Sequence, residues 1–279
     1  MVLLAWLLGH PTLVADALKA SPAIEIKQSS TPRFVCVLQK EFATAIPALV
    51  DFVGTDDATT CVGVQIRTVR MLQVGVLRFY GTLLASVPRT CRGVASSAYK
   101  LEIRTLCILR HNTVTSDGGY PCPAVRGFAI ETKSGRCFPA SFSADARGPD
   151  EIIRALLMLA GPATRLRLPY DTESDTFSIK PFQWSRGWKM LAAQSLALSD
   201  AELLQTRSTS PHAESPSFVT SIRRMDTYIY NHPDWEHAFP NRESRRLVRD
   251  PGTGRWMRAE DPNSRRVAST AKALWELSL

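Results

Sequence analysis

Residues 125–142 read VRGFAIETKSGRCFPASF. Two runs that read as strands, VRGFAIE (125–131) and RCFPASF (136–142), flank a short polar break in which Gly135 can take the positive φ of a tight reversal. The stretch predicts a β-hairpin and therefore antiparallel pairing. Directly after it, GPDEIIRALLMLAGP (148–162) carries helix punctuation at both ends. Pro149 stands at the first helical position, Asp150 and Glu151 favour the positive dipole end, and Gly161-Pro162 stops the helix.

The same grammar extends outward. RFVCVLQ (33–39), CVGVQIR (61–67) and IRTLCIL (103–109) are β-branched or alternating runs, and LPYDTESDTFSIKPFQW (168–184) reads strand–turn–strand. A helical section follows. Ser199 and Glu202 have capping-box spacing, and Ser215-Pro216 opens a helix with Phe218, Ile222, Met225 and Ile229 on one stripe. RLVRDPGTGRWMR (246–258) predicts a last hairpin, and ALWEL (273–277) a terminal helical turn. Strands first and helices later, without regular alternation, give an α+β fold of largely antiparallel sheets packed with helices. Residues 1–258 read as one domain and 259–279 as a polar tail.

The totals agree with a globular chain: 279 residues, 44% hydrophobic and 22% charged. The formal charge of +8 comes largely from Arg242, Arg245, Arg246, Arg249, Arg255, Arg258, Arg265 and Arg266. This basic stretch reads as solvated surface, since no aromatic-basic interleaving accompanies it to suggest nucleic acid. The apolar run Val2–Leu8 is short, unpreceded by Lys or Arg and broken by Gly9-His10-Pro11, so secretion is not expected. No stretch approaches the ~20 apolar residues of a membrane span. The six cysteines form no C-x-x-C pair, and Cys36 and Cys107 sit in apolar runs as structural thiols, so the compartment is expected to be reducing.

Cys61 is placed differently. Alternation in CVGVQIR sets Cys61, Gly63 and Gln65 on one strand face and the core-forming Val62, Val64 and Ile66 on the other. Cys61 is the first residue of its strand, directly after the polar GTDDATT (54–60), and Gly63 permits close approach of a substrate or another backbone. A thiol at such an edge is decided by reactivity rather than packing. Spacing alone leaves two readings, a nucleophile and an inert cysteine.

PALVDFVGTDDATTCVGVQIR (47–67) resembles the signature of the protein N-terminal asparagine amidohydrolase family, its plant members especially. RTLCILRHNT (104–113), PASF (139–142) with PDEI (149–152), and YDTESDTFSIKPFQW (170–184) share the family's character. STSPHAESPSFVTSIRR (208–224) followed by NHPDWEHAFP (231–240) is a second strong stretch, and the similarity covers roughly residues 10–67 and 103–258. The resemblance implies a cysteine-deamidase-like single domain that converts an N-terminal Asn to Asp in the cytoplasm or nucleus, ready for arginylation and degradation through the N-degron pathway. Its implied partners are proteins or peptides with a free N-terminal Asn and the arginylation machinery downstream. It implies no cofactor, no metal, no nucleic acid and no membrane.

The family's cysteine matches Cys61. Backbone N–H groups around Thr60 and Cys61 are candidate oxyanion donors, and Thr60 could orient the thiol; a threonine that only satisfies its turn is the other reading. Recognition of an α-ammonium calls for a carboxylate, and Asp56, Asp57 and Glu214 are the candidates, with loop capping or a solvated surface as the alternative. Ser208, Thr209 and Ser210 of the second motif are further candidates for substrate binding.

One segment departs from the family. TVRMLQVGVLRFYGTLLASVPRTCRGVASSAYK (68–100) holds no His, Asp or Glu, where the family continues into a strand carrying a histidine and an acid. His111 and His212 are the candidate substitute bases, His111 being taken as the catalytic one; a structural histidine is the other reading for each. A positioned base is worth about 10²–10⁴-fold, so its loss would leave a slow or inactive chain. Three explanations stand: a splicing or gene-model variant, which the acid-free run with Arg70, Arg78, Arg89 and Arg92 favours; a non-catalytic binder of N-terminal Asn; or another group acting as base.

Overall fold

A computed structural model describes residues 24–26, 33–58, 61–67, 74–80, 113–115, 121–123, 126–143, 146–160, 167–250 and 252–259, with the single positions Pro11 and Gly119. In chain order come β1 (Ile24–Ile26), β2 (Phe34–Cys36), β3 (Phe42–Ala45), β4 (Phe52–Ala58), β5 (Cys61–Arg67), β6 (Val74–Tyr80), β7 (Thr113–Thr115), β8 (Pro121–Pro123), β9 (Arg126–Glu131) and β10 (Cys137–Phe142). Helix α1 (Glu151–Ala160), β11 (Tyr170–Asp171) and β12 (Thr176–Ile179) follow, then α2 (Gly187–Ala197), α3 (Asp200–Arg207), α4 (Phe218–Asn231), β13 (Arg245–Arg249) and β14 (Trp256–Arg258).

The hairpin forms as its sequence predicts. β9 and β10 pair antiparallel with Ile130 opposite Cys137, and Gly135 turns at φ 72. They sit inside a five-stranded sheet of order β1-β10-β9-β4-β2, whose outer pairs β1-β10 and β2-β4 are parallel. The remaining sheets are antiparallel throughout: β11-β12-β13-β14, β3-β6-β5 and the ribbon β7-β8. The α+β class holds. Part of the departing segment 68–100 is ordinary structure, because β6 pairs with β3 on one side and β5 on the other. The expected strand at IRTLCIL and the turn at ALWEL lie outside the described residues.

Three apolar clusters organise the described interior, the smallest being Cys36, Ala129, Ala140, Phe142 and Ala146. The first joins Val35, Val37, Val50, Val53 and Ile130 to Tyr170, Phe177 and Leu247, so it lies between the larger sheets. The second packs Ile153 and Leu156 of α1 and Met225 and Ile229 of α4 against Ile179, Trp184 and Phe239. The predicted stripe of α4 is therefore buried through Met225 and Ile229, with Ile222 packed at its margin and Phe218 outside the cluster. The capping box of α3 forms, Ser199 and Glu202 bonding reciprocally. Among the described residues no helix is long and apolar enough to cross a membrane.

Two expectations are corrected. Helix α1 begins at Glu151 rather than Pro149, because Asp150 sits in the left-handed region at φ 50. Its carboxylate is taken in fork geometry by Arg245 at 2.6 and 2.9 Å instead of serving the dipole. The arginines near the C-terminus are also not uniformly solvated. Arg249 is 3% exposed, donates to the Phe34 carbonyl at 3.2 Å and stacks over Trp256. Strand β13 turns Arg249 inward, while Arg246 on the same strand is exposed, and Arg242 stays exposed and meets Glu236 at 3.0 Å.

Among the most buried charges of the described residues are Glu41, 3% exposed, and Arg154 of α1, 1% exposed. Arg154 Nε donates to Glu41 Oε1 at 3.0 Å and Nη2 to Oε2 at 2.5 Å. Nη2 also reaches the Cys36 carbonyl and Nη1 the Arg147 carbonyl, each at 2.8 Å. Removing one partner of such a pair strands the other charge in the core, at a cost of about 3–5 kcal/mol. Glu41→Gln is thus expected to lose several kcal/mol in urea unfolding, and Glu41→Leu with Arg154→Met to recover most of it; a loss below about 1 kcal/mol for the single change would contradict the reading.

Candidate functional site

The polar stretch ahead of Cys61 is a shaped piece of β4. Register runs from Thr55 opposite Phe128 to Ala58 opposite Arg126, three steps against two, so one extra residue is accommodated as a bulge. Asp57 supplies the bend at φ 50. Asp56 is buried and its carboxylate is committed to the backbone: Oδ2 accepts the Phe142 N–H at 2.6 Å and Oδ1 the Asp57 N–H at 2.8 Å. Burial pushes the Asp56 carboxyl up, against the hydrogen bond from Phe142 and the nearby Arg147. Gly127 opposite the bulge leaves no room for a side chain, since a Cβ there would stand 2.6 Å from Asp56 Oδ1 and 2.2 Å from the Ala140 carbonyl.

Arg147, in the loop between β10 and α1, gathers these acids. Its Nη2 lies 2.5 Å from Asp57 Oδ2 and 3.8 Å from Asp56 Oδ2, and Nη1 lies 3.6 Å from Glu151. Burial works against its charge, but Asp57, Asp56 and Glu151 more than offset that and hold the guanidinium protonated. Nη2 also reaches Ser217 Oγ at 3.5 Å, and Ser217 exchanges a 3.0 Å hydrogen bond with Ser215. Both belong to the second strong stretch, so a single side chain joins it to the first. Sequence reasoning passed over Arg147 and Gly127, both between or inside recognised runs.

The other predicted positions fall out as follows. Cys61 is the first residue of β5, its backbone opposite Tyr80, and β5 lies against β4. Thr60 and His111 lie outside the described residues. Ser208 Oγ donates to Glu214 Oε1 at 2.6 Å and accepts the Ser210 N–H at 2.9 Å, which ties these three into one turn beside the exposed Thr209. His212 is exposed on the short 3-10 turn Pro211–Ala213, which touches β8. His232 and His237 stack at 4.1 Å past the end of α4, whose length sets them about 20 Å from Ser217. Burial and its neighbour His237 hold His232 below its usual value.

Cys36 shows what a structural thiol looks like in the same molecule. It is 1% exposed on β2, and burial pushes it up to about 12, with Arg154 opposing. It remains a neutral thiol at any physiological pH and cannot serve as nucleophile.

Comparison with known proteins completes the description. The family model for protein N-terminal asparagine amidohydrolase matches residues 24–86 and 87–258, spanning the departing segment. A protein N-terminal asparagine amidohydrolase of Arabidopsis thaliana is 31% identical over 87% of this chain and 89% of its own length. A human protein of the same name is 25% identical over 91% of this chain and 96% of its own, and a mouse one 29% identical over 59% and 51%.

A raised thiol value has a definite pH signature. Folded Cys36 ionises near 12 against an ordinary 9.0, so its burial costs no stability below pH 9 and increasingly destabilises the fold from there to about 12. Iodoacetamide at pH 8 should leave Cys36 unlabelled in the native protein and label it in urea, read by peptide mass mapping. Native labelling at the rate of a free thiol would show that the β2 environment is open.

Proposed function

The chain belongs to the protein N-terminal asparagine amidohydrolase family, and from that premise we propose that it hydrolyses the side-chain amide of an N-terminal Asn, with Cys61 as nucleophile. The thiolate sulfur bonds to the side-chain carbonyl carbon and its electrons move to the oxygen. The tetrahedral species collapses, the C–N bond breaks, and the nitrogen leaves as ammonia with a proton from the general acid. Water then attacks the thioester, the C–S bond breaks, and Asp and the free thiol are released. Backbone N–H groups of Thr60 and Cys61 take the oxyanion, and His111 serves as the base.

What supports the cysteine's role is its placement at the first residue of β5, immediately after a bulged and acid-rich end of β4. Specificity for a chain terminus falls to Asp56, Asp57 and Glu214 as candidate partners of the α-ammonium, with Ser208, Thr209 and Ser210 lining the substrate's path. We take the product, an N-terminal Asp, to pass on to arginylation, so that the proposed reaction belongs to the N-degron pathway of the cytoplasm or nucleus.

Ammonia release from a peptide with N-terminal Asn tests this directly, beside its N-acetylated form and a Cys61→Ala variant. Release from the free-amine peptide alone, lost in the variant, is the expected outcome. A folded protein that binds the peptide without releasing ammonia would make it a binder whose segment 68–100 has cost it the base.

A further inference from the structure

Arg147 stands in neither of the two strong motifs, yet its Nη2 reaches both, Asp57 in the first and Ser217 in the second. Its side chain is 12% exposed, Nη2 is paired to Asp57, Nη1 faces Glu151, and Nε donates to the Phe142 carbonyl at 3.3 Å. Its own carbonyl is pinned by Arg154 Nη1 at 2.8 Å, so the guanidinium projects from a backbone fixed by the buried Glu41–Arg154 pair. Phe142 is held from both sides, its N–H on Asp56 and its carbonyl on Arg147.

We propose that Arg147 is a positioning residue of the amidohydrolase site. It clamps the Asp56–Asp57 bulge against the entrance of α4, at the end of the strand against which β5 and Cys61 lie. The inference rests on Cys61 being the nucleophile. Asp57 is a non-glycine residue at φ 50, a conformation that costs on the order of 1–3 kcal/mol and persists only where its surroundings impose it. The ion pair to Arg147 and the N–H bond to Asp56 are what impose it here.

Proximity makes the position matter. Three residues stand between Asp57 and Cys61 in the chain, and β5 lies against β4. A displacement of about 1 Å at a nucleophile costs a reaction about 10²-fold. The geometry also requires the fork of an arginine. Nη2 serves Asp57 while Nη1 serves Glu151, which Arg224 meets from α4 at 3.1 Å. A lysine's single ammonium could hold Asp57 but not both.

Arg147→Gln, Arg147→Lys and Asp57→Asn test the clamp in the full chain. In Arg147→Gln, kcat for an N-terminal Asn peptide should fall about 10²-fold with KM within about twofold, and Arg147→Lys should restore part of it. The pH profile of Cys61 alkylation should move toward that of an ordinary thiol, near 8.5, while urea stability falls by less than would unfold the protein. The double variant of Arg147→Gln with Asp57→Asn should be no slower than the worse single one. A folded Arg147→Gln with unchanged kcat and an unchanged alkylation profile would overturn the proposal. Should that variant fail to fold, Arg147→Lys decides: a kcat loss with KM within about twofold supports the clamp, and an unchanged kcat overturns it. A wild type that released no ammonia would refute the enzymatic reading instead, and the alkylation profiles would still decide the role of Arg147.

Discussion

The pairing of Glu41 with Arg154 is the constraint on which the arrangement depends. A guanidinium 1% exposed must fill its donors inside the protein, and Arg154 does so on three separate segments: Glu41 before β3, the Cys36 carbonyl on β2, and the Arg147 carbonyl ahead of α1. An apolar side chain would accept many neighbours at similar free energy, whereas a buried charge is satisfied in very few arrangements. Helix α1 therefore cannot shift along the sheet without leaving a charge unpaired. Phe177 completes the seat, its ring lying 4.8 Å from the guanidinium carbon.

From that seat the structure builds outward to the acids of β4. The backbone at Arg147 is set by Arg154, the side chain of Arg147 sets Asp57, and Asp56 draws in the end of β10 through the Phe142 N–H. A second chain of contacts leads through Arg245, which grips Asp150 beside α1 and the Ala238 carbonyl after α4. The NHPDWEHAFP stretch, conspicuous in the sequence, gives Ala238 and Phe239 to the helical core, and its Ala238 carbonyl shares Arg245 with Asp150.

Local signals were readable where local physics decides. The hairpin at 125–142, the capping box of α3 and the stripe of α4 each follow from a few neighbouring residues. The parallel pairings of β1 with β10 and β2 with β4 were not readable, because they join strands distant in sequence and no local period encodes a partner. The same limit hid Arg147 and Gly127. An arginine in a loop looks solvated until the acids it meets, 90 and 91 positions earlier in the chain (147 less 57 and 147 less 56), are brought beside it. Arg249 was misread for the same reason, since Asp175, Trp256 and the Phe34 carbonyl that surround it come from other segments. The strand that begins at Cys61 was legible because its pattern is local.

The central claim is covalent chemistry at Cys61, and the measurement that bears on it most directly is an acid quench of the protein during turnover of an N-terminal Asn peptide, followed by intact and peptide mass analysis. The account predicts an adduct of the peptide less ammonia, carried as a thioester on Cys61 and cleaved by hydroxylamine. Ammonia released with no such adduct under any quench, or an adduct on another residue, would contradict it.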